Sequence, residues 1–252
     1  MDYSFAYFFI LLVTGLIAGV VNTLAGGGSN LTLPALMLTG MPADVANATN
    51  RVGVFLQCAV GTKGYVHHGK VQADDIVWVL IPNIAGGVVG ALAAAVLPAT
   101  LLKPLLLSAM IGVAFVILVF PSVIAPPKGT PVHKMKARPS AWVALFFVGI
   151  YGGFVQAGVG FLLITALAGT LRYDLVRSNA LKLICTLAFT SVALLIFIAD
   201  GLVQWLPGLV LAVGMMVGAA AAVKVSLDIS QQAMKWFLFV MTLVASAAAM
   251  FL

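Results

Sequence analysis

Gly19-Val-Val-Asn-Thr-Leu-Ala-Gly-Gly-Gly-Ser-Asn-Leu-Thr-Leu-Pro-Ala-Leu36 decides how this chain is built. An apolar run from Phe5 leads into it, and three consecutive glycines, Gly26, Gly27 and Gly28, end that run. A short apolar piece, 29–40, follows the glycines before polar residues return. About 12 residues at 1.5 Å each reach only ~18 Å, well short of a hydrocarbon core of ~30 Å. The stretch therefore reads as a full span, a break, and a half-helix. Such a break is tolerated at membrane depth only where protein or a cavity surrounds it.

Composition agrees. Of 252 residues, 63% are hydrophobic and 8% charged, against about 45–50% and about 25% in ordinary soluble domains. Too few charges exist to cover a water-facing surface, and a disordered chain is excluded by the same numbers. Long unbroken apolar runs, in place of period-two alternation, select helices over a barrel. The N-terminal Met1-Asp2-Tyr3-Ser4 carries no basic n-region, so no cleaved signal peptide is expected. Cys58 and Cys185 lie in apolar runs without metal or redox spacing and read as packing residues.

Full spans are expected at about 5–24, 47–66, 76–97, 101–120, 140–158, 178–199, 203–222 and 232–251, with short pieces at 29–40 and 160–171. Trp78, Trp142, Trp205 and Trp236 stand near span starts, where interfacial indoles belong. The two halves look like copies. Gly15 and Gly19 recur as Gly149 and Gly153, followed three residues on by Asn22 and Gln156. Asp44 recurs as Asp174, and Gly86 with Gly90 recurs as Gly214 with Gly218. The repeats are placed at 5–120 and 140–252, around a proline-rich linker at 121–139.

Charge decides the symmetry. If the short pieces do not cross, the loop cations divide almost evenly between the two sides. If both cross, Lys63, Lys70, Lys128, Lys134, Lys136, Arg138, Arg172, Arg177, Lys224 and Lys235 share one side and only Lys103 lies opposite. The positive-inside rule selects the second arrangement. The expected fold is an all-α polytopic membrane protein of two inverted repeats. Each repeat has four full spans plus one short half-helix, giving 8 long and 2 short membrane segments in all. Both termini are then periplasmic and the linker cytoplasmic.

Two cations remain outside this pattern, Arg51 and Lys182, 131 residues apart and so at near-equivalent places in the copies. All seven acids are aspartates, and none falls inside a span. A charge at a helix centre costs ~2.5–3.5 kcal/mol on insertion scales, so it needs a cavity or a partner. Unpaired cations facing the positive ends of half-helices predict a small anion as that partner. The competing reading is snorkelling, since each cation lies about one turn inside its expected span. Candidate substrate-binding residues are Asn22, Gly26, Gly27, Gly28, Ser29, Asn30, Thr49, Asn50 and Arg51 in the first half. In the second they are Gln156, Gly158, Gly160, Asn179 and Lys182. Without glutamate or a spaced third ligand beside His67, His68 or His133, no metal and no cofactor are expected.

The quoted stretch, with Ala48-Thr-Asn-Arg51 and the loop ending Gly69-Lys-Val71, resembles the TauE/SafE sulfite-exporter family, also called the toluene-sulfonate uptake permease family. Gly149-Ile-Tyr-Gly-Gly153, Gly158-Val-Gly160 and Asn179-Ala-Leu-Lys182 are similar to that family's second repeat. The resemblance implies a bacterial inner-membrane carrier for sulfite or organosulfonates. It places the family's glycine-rich turn at Gly26 to Gly28 and its second-repeat lysine at Lys182. Ser29-Asn30 and Arg51 depart from the expected pattern, which has glycine or an apolar residue at the former and lysine at the latter.

The expected activity is secondary transport, as export, of a small sulfur oxyanion or organosulfonate such as sulfite or sulfoacetate, by alternating access around a midplane site. A channel or carrier for small carboxylates is the alternative. An intramembrane enzyme is disfavoured because no histidine or glutamate lies within a span. Expected partners are the small anion and the lipid bilayer, which the basic linker touches, with homo-oligomeric assembly left open and no nucleic acid.

Overall fold

The computed structural model describes residues 5–71, 76–119 and 130–228. Among them every regular element is helical: α1 (Phe5–Leu24), α2 (Ser29–Leu38), α3 (Ala43–His67), α4 (Ile76–Val96), α5 (Ala99–Val119), α6 (Pro139–Phe154), α7 (Val159–Leu171), α8 (Leu175–Ala199) and α9 (Trp205–Asp228), with a 3-10 turn at Met135–Ala137. The expected span 232–251, the linker up to residue 129, Lys128, Lys235 and Trp236 lie outside the described residues.

Both breaks are built alike. The carbonyl of Val21 accepts the amides of Ala25 and Gly26 at 2.7 and 3.0 Å, and Gly26 turns the chain at φ +92°. The carbonyl of Tyr151 accepts the amides of Val155 and Gln156 at 2.8 and 3.3 Å. Gln156 and Gly158 then take φ +65° and +71°. These left-handed residues end α6 at Phe154, four residues before the expected 158. Two other boundaries move the opposite way. Helix α3 starts at Ala43 behind Pro42, and α8 starts at Leu175, where the Asp174 carboxylate caps the Arg177 amide at 2.9 Å. Helix α9 continues to Asp228, beyond the expected 222.

Helices α1, α4, α8 and the Trp205–Ser226 part of α9 are long and apolar enough to cross a membrane. Their outward faces are greasy: Phe9, Leu12 and Leu16 on α1, Ile81 and Leu92 on α4, and Leu209, Val213 and Val217 on α9 are exposed. So much contiguous apolar surface suits lipid and not water. The inward faces carry glycine. A Cβ on Gly15 or Gly19 would lie 2.4 or 2.2 Å from the carbonyl oxygens of Leu211 or Met215 in α9. One on Gly214 or Gly218 would lie 2.2 Å from those of Leu12 or Leu16 in α1. Helices α4 and α6 meet in the same way: a Cβ on Gly86 or Gly90 would come within 2.0 Å of the carbonyls of Phe146 or Ile150. Backbone against backbone is the packing that small-residue repeats make possible in lipid. The glycine motifs that look like copies thus pair across the two halves of the sequence, α1 with α9 and α4 with α6.

Polar contacts sort the loops into two faces. Tyr65, near the end of α3, donates to Ser226 near the end of α9 at 2.7 Å. Trp78 at the start of α4 lies 6.1 Å from Trp142 at the start of α6, and the Trp142 indole donates to the carbonyl of Met135. The amide of His133 donates to the last carbonyl of α7, Leu171, at 3.0 Å. Lys63, Lys70, Lys134, Lys136, Arg138, Arg172, Arg177 and Lys224 therefore share one face. Lys103 sits on the other, beside a cluster in which Leu102 packs with Ala43, Phe197 and Leu202.

Candidate functional site

Because α3 and α8 begin earlier than expected, Arg51 and Lys182 lie about two turns inside their helices and are 0% and 1% exposed. Neither snorkels. Lys182 Nζ donates to the carbonyls of Asn22 and Thr23 and to Asn179 Oδ1, each at 2.9 Å. Its three protons have three acceptors. Arg51 sends Nη1 to the carbonyl of Gly152 and Nη2 to that of Gly153, both at 2.7 Å, and its guanidinium lies 5.5 Å from the Phe197 ring centroid. Asn47, one turn before Arg51, donates to the carbonyl of Phe154 at 3.0 Å.

This corrects one expectation: the cations face the C-terminal ends of the broken helices, not the N-terminal ends of the half-helices. Each cation also serves the opposite half of the sequence, with α8 holding the last turn of α1 and α3 holding the last turn of α6. The physical reason is plain. The final carbonyls of a helix have no intrahelical donor, and at membrane depth there is no bulk water to supply one. A fixed cation meets that need and the negative end of the helix dipole together. No motif announces backbone acceptors in a sequence. The spacing of Asn47 to Arg51 (i, i+4) and of Asn179 to Lys182 (i, i+3) is the visible trace of the helper side chains.

The remaining predicted residues fall into distinct places. The Asn22 side chain donates to Gln57 Oε1, and Gln57 donates to Thr23 Oγ1 at 2.9 Å, so the end of α1 is held from α3 as well as from α8. Thr23 had no signal in the sequence beyond its place beside Asn22. Ser29 and Thr32 of α2 both bond Asn50, at 3.1 and 2.6 Å. Gln156 donates to Thr190 Oγ1 at 3.0 Å, which ties the second break to α8. Thr49 is turned elsewhere and accepts the backbone amide of Gln204 at 3.0 Å.

The two breaks touch. The amide of Gly160 donates to the carbonyl of Gly26 at 3.1 Å, and a Cβ on either glycine would lie within 2.3 Å of the other's Cα. Only glycine permits this approach. No side chain caps the N-terminus of α2 or α7. Three buried side-chain atoms near the breaks have no hydrogen-bond partner among the described residues: Asn30 Oδ1, Gln156 Oε1 and Arg51 Nε. Asn30 lines a cavity of about 410 Å³ with Thr14, Ile17, Leu31, Pro34, Ala35 and Leu38. Among the described residues no group of three metal-ligating side chains occurs. The aspartates stand at helix ends (Asp44, Asp174, Asp200, Asp228) or outside the described residues.

Comparison with known proteins fits this arrangement. The family model described as "Sulfite exporter TauE/SafE" matches residues 11–249. The "Probable membrane transporter protein YfcA" of Escherichia coli K12 is 26% identical over 242 residues, covering 96% of this chain and 89% of its own. A "Probable membrane transporter protein ORF9" of Sinorhizobium sp is 26% identical over 220 residues, covering 86% and 82%. A "Probable membrane transporter protein" of Haemophilus influenzae is 25% identical over 226 residues, covering 89% and 87%.

Proposed function

The chain belongs to the TauE/SafE sulfite-exporter family of membrane transporters, and from that premise we propose that it is a secondary transporter exporting a small sulfur oxyanion or organosulfonate such as sulfite or sulfoacetate. The reading rests on one observation above the rest. Two cations, Arg51 and Lys182, are buried with carbonyl partners and no carboxylate partner among the described residues. Each helix C-terminus they face contributes about half a negative charge, so roughly one unit of positive charge stays uncompensated. The uncapped N-termini of α2 and α7 add about half a positive charge each. A core of that sign, among buried amides, suits an anion carrying one or two charges.

The architecture assigned to it is two inverted repeats, 5–120 and 140–252, with the second completed by the segment 232–251. The reciprocal glycine seams and the reciprocal cations support that symmetry, and the half-helices α2 and α7 support it further. Alternating access follows from rocking one repeat against the other around the Gly26–Gly160 contact. The substrate set comprises Arg51, Lys182 and their neighbours Asn22, Asn50 and Asn179, with Ser29, Asn30 and Gln156 beside the breaks. The backbone of Gly26, Gly27, Gly28, Gly158 and Gly160 completes it. Thr49 belongs to the set only by adjacency in sequence.

The cation-rich face is assigned to the cytoplasm of a bacterial inner membrane, with both termini periplasmic. There the tilted pair Trp78 and Trp142 and the ring-stacked Lys136, 4.2 Å over Trp78, meet anionic lipid headgroups.

Purified protein in proteoliposomes tests the reading. Sulfite or an alkylsulfonate is expected to raise the thermal unfolding midpoint more than acetate at equal concentration does. Arg51→Gln and Lys182→Gln are expected to abolish sulfite flux. Undiminished flux in both variants would refute the site, and stabilisation by acetate alone would refute the substrate class.

A further inference from the structure

We infer that Lys182 and Arg51 are tethered coupling-type cations: each occupies, as part of the chain, an oxygen site at a helix break that would otherwise take a free monovalent cation. The inference rests on the proposed carrier reading for its meaning in transport, but its chemistry stands on the geometry alone. Around Lys182 Nζ are three oxygens at 2.9 Å, the carbonyls of Asn22 and Thr23 and the amide oxygen of Asn179. Two come from the terminal turn of a broken helix and one from a neutral side chain on a crossing helix. That donor set is the kind from which broken-helix carriers build sites for Na⁺. Around Arg51 the same elements recur, with the carbonyls of Gly152 and Gly153 at 2.7 Å and Asn47 Oδ1 at 3.5 Å from the guanidinium.

In both places the chain supplies the positive charge itself, and from the opposite half of the sequence. Three consequences follow. The native protein needs no Na⁺ at these two positions. The positive charge is part of the chain and cannot be washed out. Removing the lysine side chain should uncover a cation site and not merely a void, because the three oxygens remain where α1, α3 and α8 hold them. Asn22 is still fixed through its own side chain to Gln57, and Gln57 to Thr23.

The test is chemical rescue. Lys182→Ala lacks the three outer methylenes and the ammonium, which n-propylammonium reproduces. Lys182→Met keeps the apolar stem and denies the space. All three proteins are purified in detergent in the presence of choline, and thermal unfolding is followed against Na⁺, n-propylammonium and n-propanol. The expected result is a midpoint for Lys182→Ala that rises and saturates with n-propylammonium or Na⁺, while n-propanol has no such effect. The midpoints of the native protein and of Lys182→Met should stay flat. Flux by the Lys182→Ala protein should recover in parallel and become dependent on the added cation, whereas flux by the native protein is unchanged when Na⁺ is replaced by choline.

An equal response of the native protein and Lys182→Ala to both cations would overturn the inference, as would equal rescue by n-propanol. Native flux that requires Na⁺ would also overturn it. These outcomes separate from failure of the substrate reading, because the rescue is read on stability without substrate. Cation rescue with no sulfite effect would remove the substrate class and leave the tethered cations standing.

Discussion

Alanine at Gly90 is the sharpest perturbation the fold offers. A Cβ there would stand 2.0 Å from the carbonyl oxygen of Ile150, with Ile150 C at 2.8 Å and Phe154 N at 2.9 Å. All three are backbone atoms of α6, so no side chain can rotate away. Real Cβ contacts stay beyond about 3 Å, and α4 must therefore retreat from α6 by at least about 1 Å. A radial gap of that size forfeits a quarter to a half of each dispersion contact along the seam. Overpacking of this kind costs typically ~1–3 kcal/mol, and the helix preference for alanine over glycine returns up to ~1 kcal/mol. A net loss of about 1–2 kcal/mol is expected. Gly112 on α5 is the control, since a Cβ there meets none of the described residues within 4 Å; Gly112→Ala should be neutral or stabilising. Gly86, one turn earlier, faces the Phe146 carbonyl at the same 2.0 Å. One retreat of α4 relieves both positions, so the double variant should cost clearly less than the sum of the singles. Unfolding by titrated SDS in mixed micelles measures this, with sulfite flux as the functional readout. Gly90→Ala as stable as Gly112→Ala, or strict additivity of Gly86→Ala and Gly90→Ala, would refute the backbone-seam argument.

Asn179→Asp places a carboxylate where Lys182 Nζ now finds an amide oxygen at 2.9 Å; stability should hold while stabilisation by sulfite and sulfite flux fall away, and retained flux would detach the lysine charge from substrate binding. Cysteines replacing Lys103 and Lys224 should react with an impermeant maleimide from opposite sides of intact cells, the first from outside and the second only after permeabilisation; the reverse pattern would invert the assigned orientation. The His133 imidazole, losing solvation and lying beside Arg138 and Arg172, is held below the ordinary histidine pKa. It should therefore stay neutral to lower pH than a free histidine does, and Arg138→Gln should shift its NMR titration upward. An unchanged titration would remove Arg138 as a cause.

The break after α1 was legible because three glycines in an apolar run leave a helix no other course. The break after α6 was legible only in outline. Its chain reversal falls on Gln156, a residue with no conformational advertisement, so the expected span ran on to 158. The early starts of α3 and α8 were hidden because Ala43 to Ala46 and Leu175 to Arg177 carry the charges of Asp44 and Arg177, which read as loop when apolarity is the criterion. Helix α8 starts there because the Asp174 carboxylate caps the Arg177 amide, and α3 because Ala43 and Ala46 are buried behind Pro42. The glycine repeats could be seen as close-contact motifs, but which helix each would meet is a fact of tertiary packing. The partners of Arg51 and Lys182 were beyond reach for a deeper reason: a search for opposite charge looks for carboxylates, and every residue has a carbonyl.

The crossed placement of the two cations bears on how binding could drive motion. Helix α8 holds the break of the first half through Lys182, and α3 holds the break of the second through Arg51 and Asn47, so each break is anchored to the opposite half of the sequence. On the proposed reading, an anion arriving between the halves competes with helix carbonyls for the same N–H donors. An anion offers these cationic donors a full opposite charge where a carbonyl offers only a dipole, so it competes for them and loosens the anchors it displaces. Arg51 Nε, buried with no hydrogen-bond partner among the described residues, is a donor available for that exchange. A neutral ligand of the same shape gains no such advantage over the carbonyls and leaves the halves bound to each other. In this scheme selectivity for anions and coupling to movement come from one competition, and substitutions that weaken the carbonyl contacts without removing the charge should loosen the transport cycle's dependence on substrate.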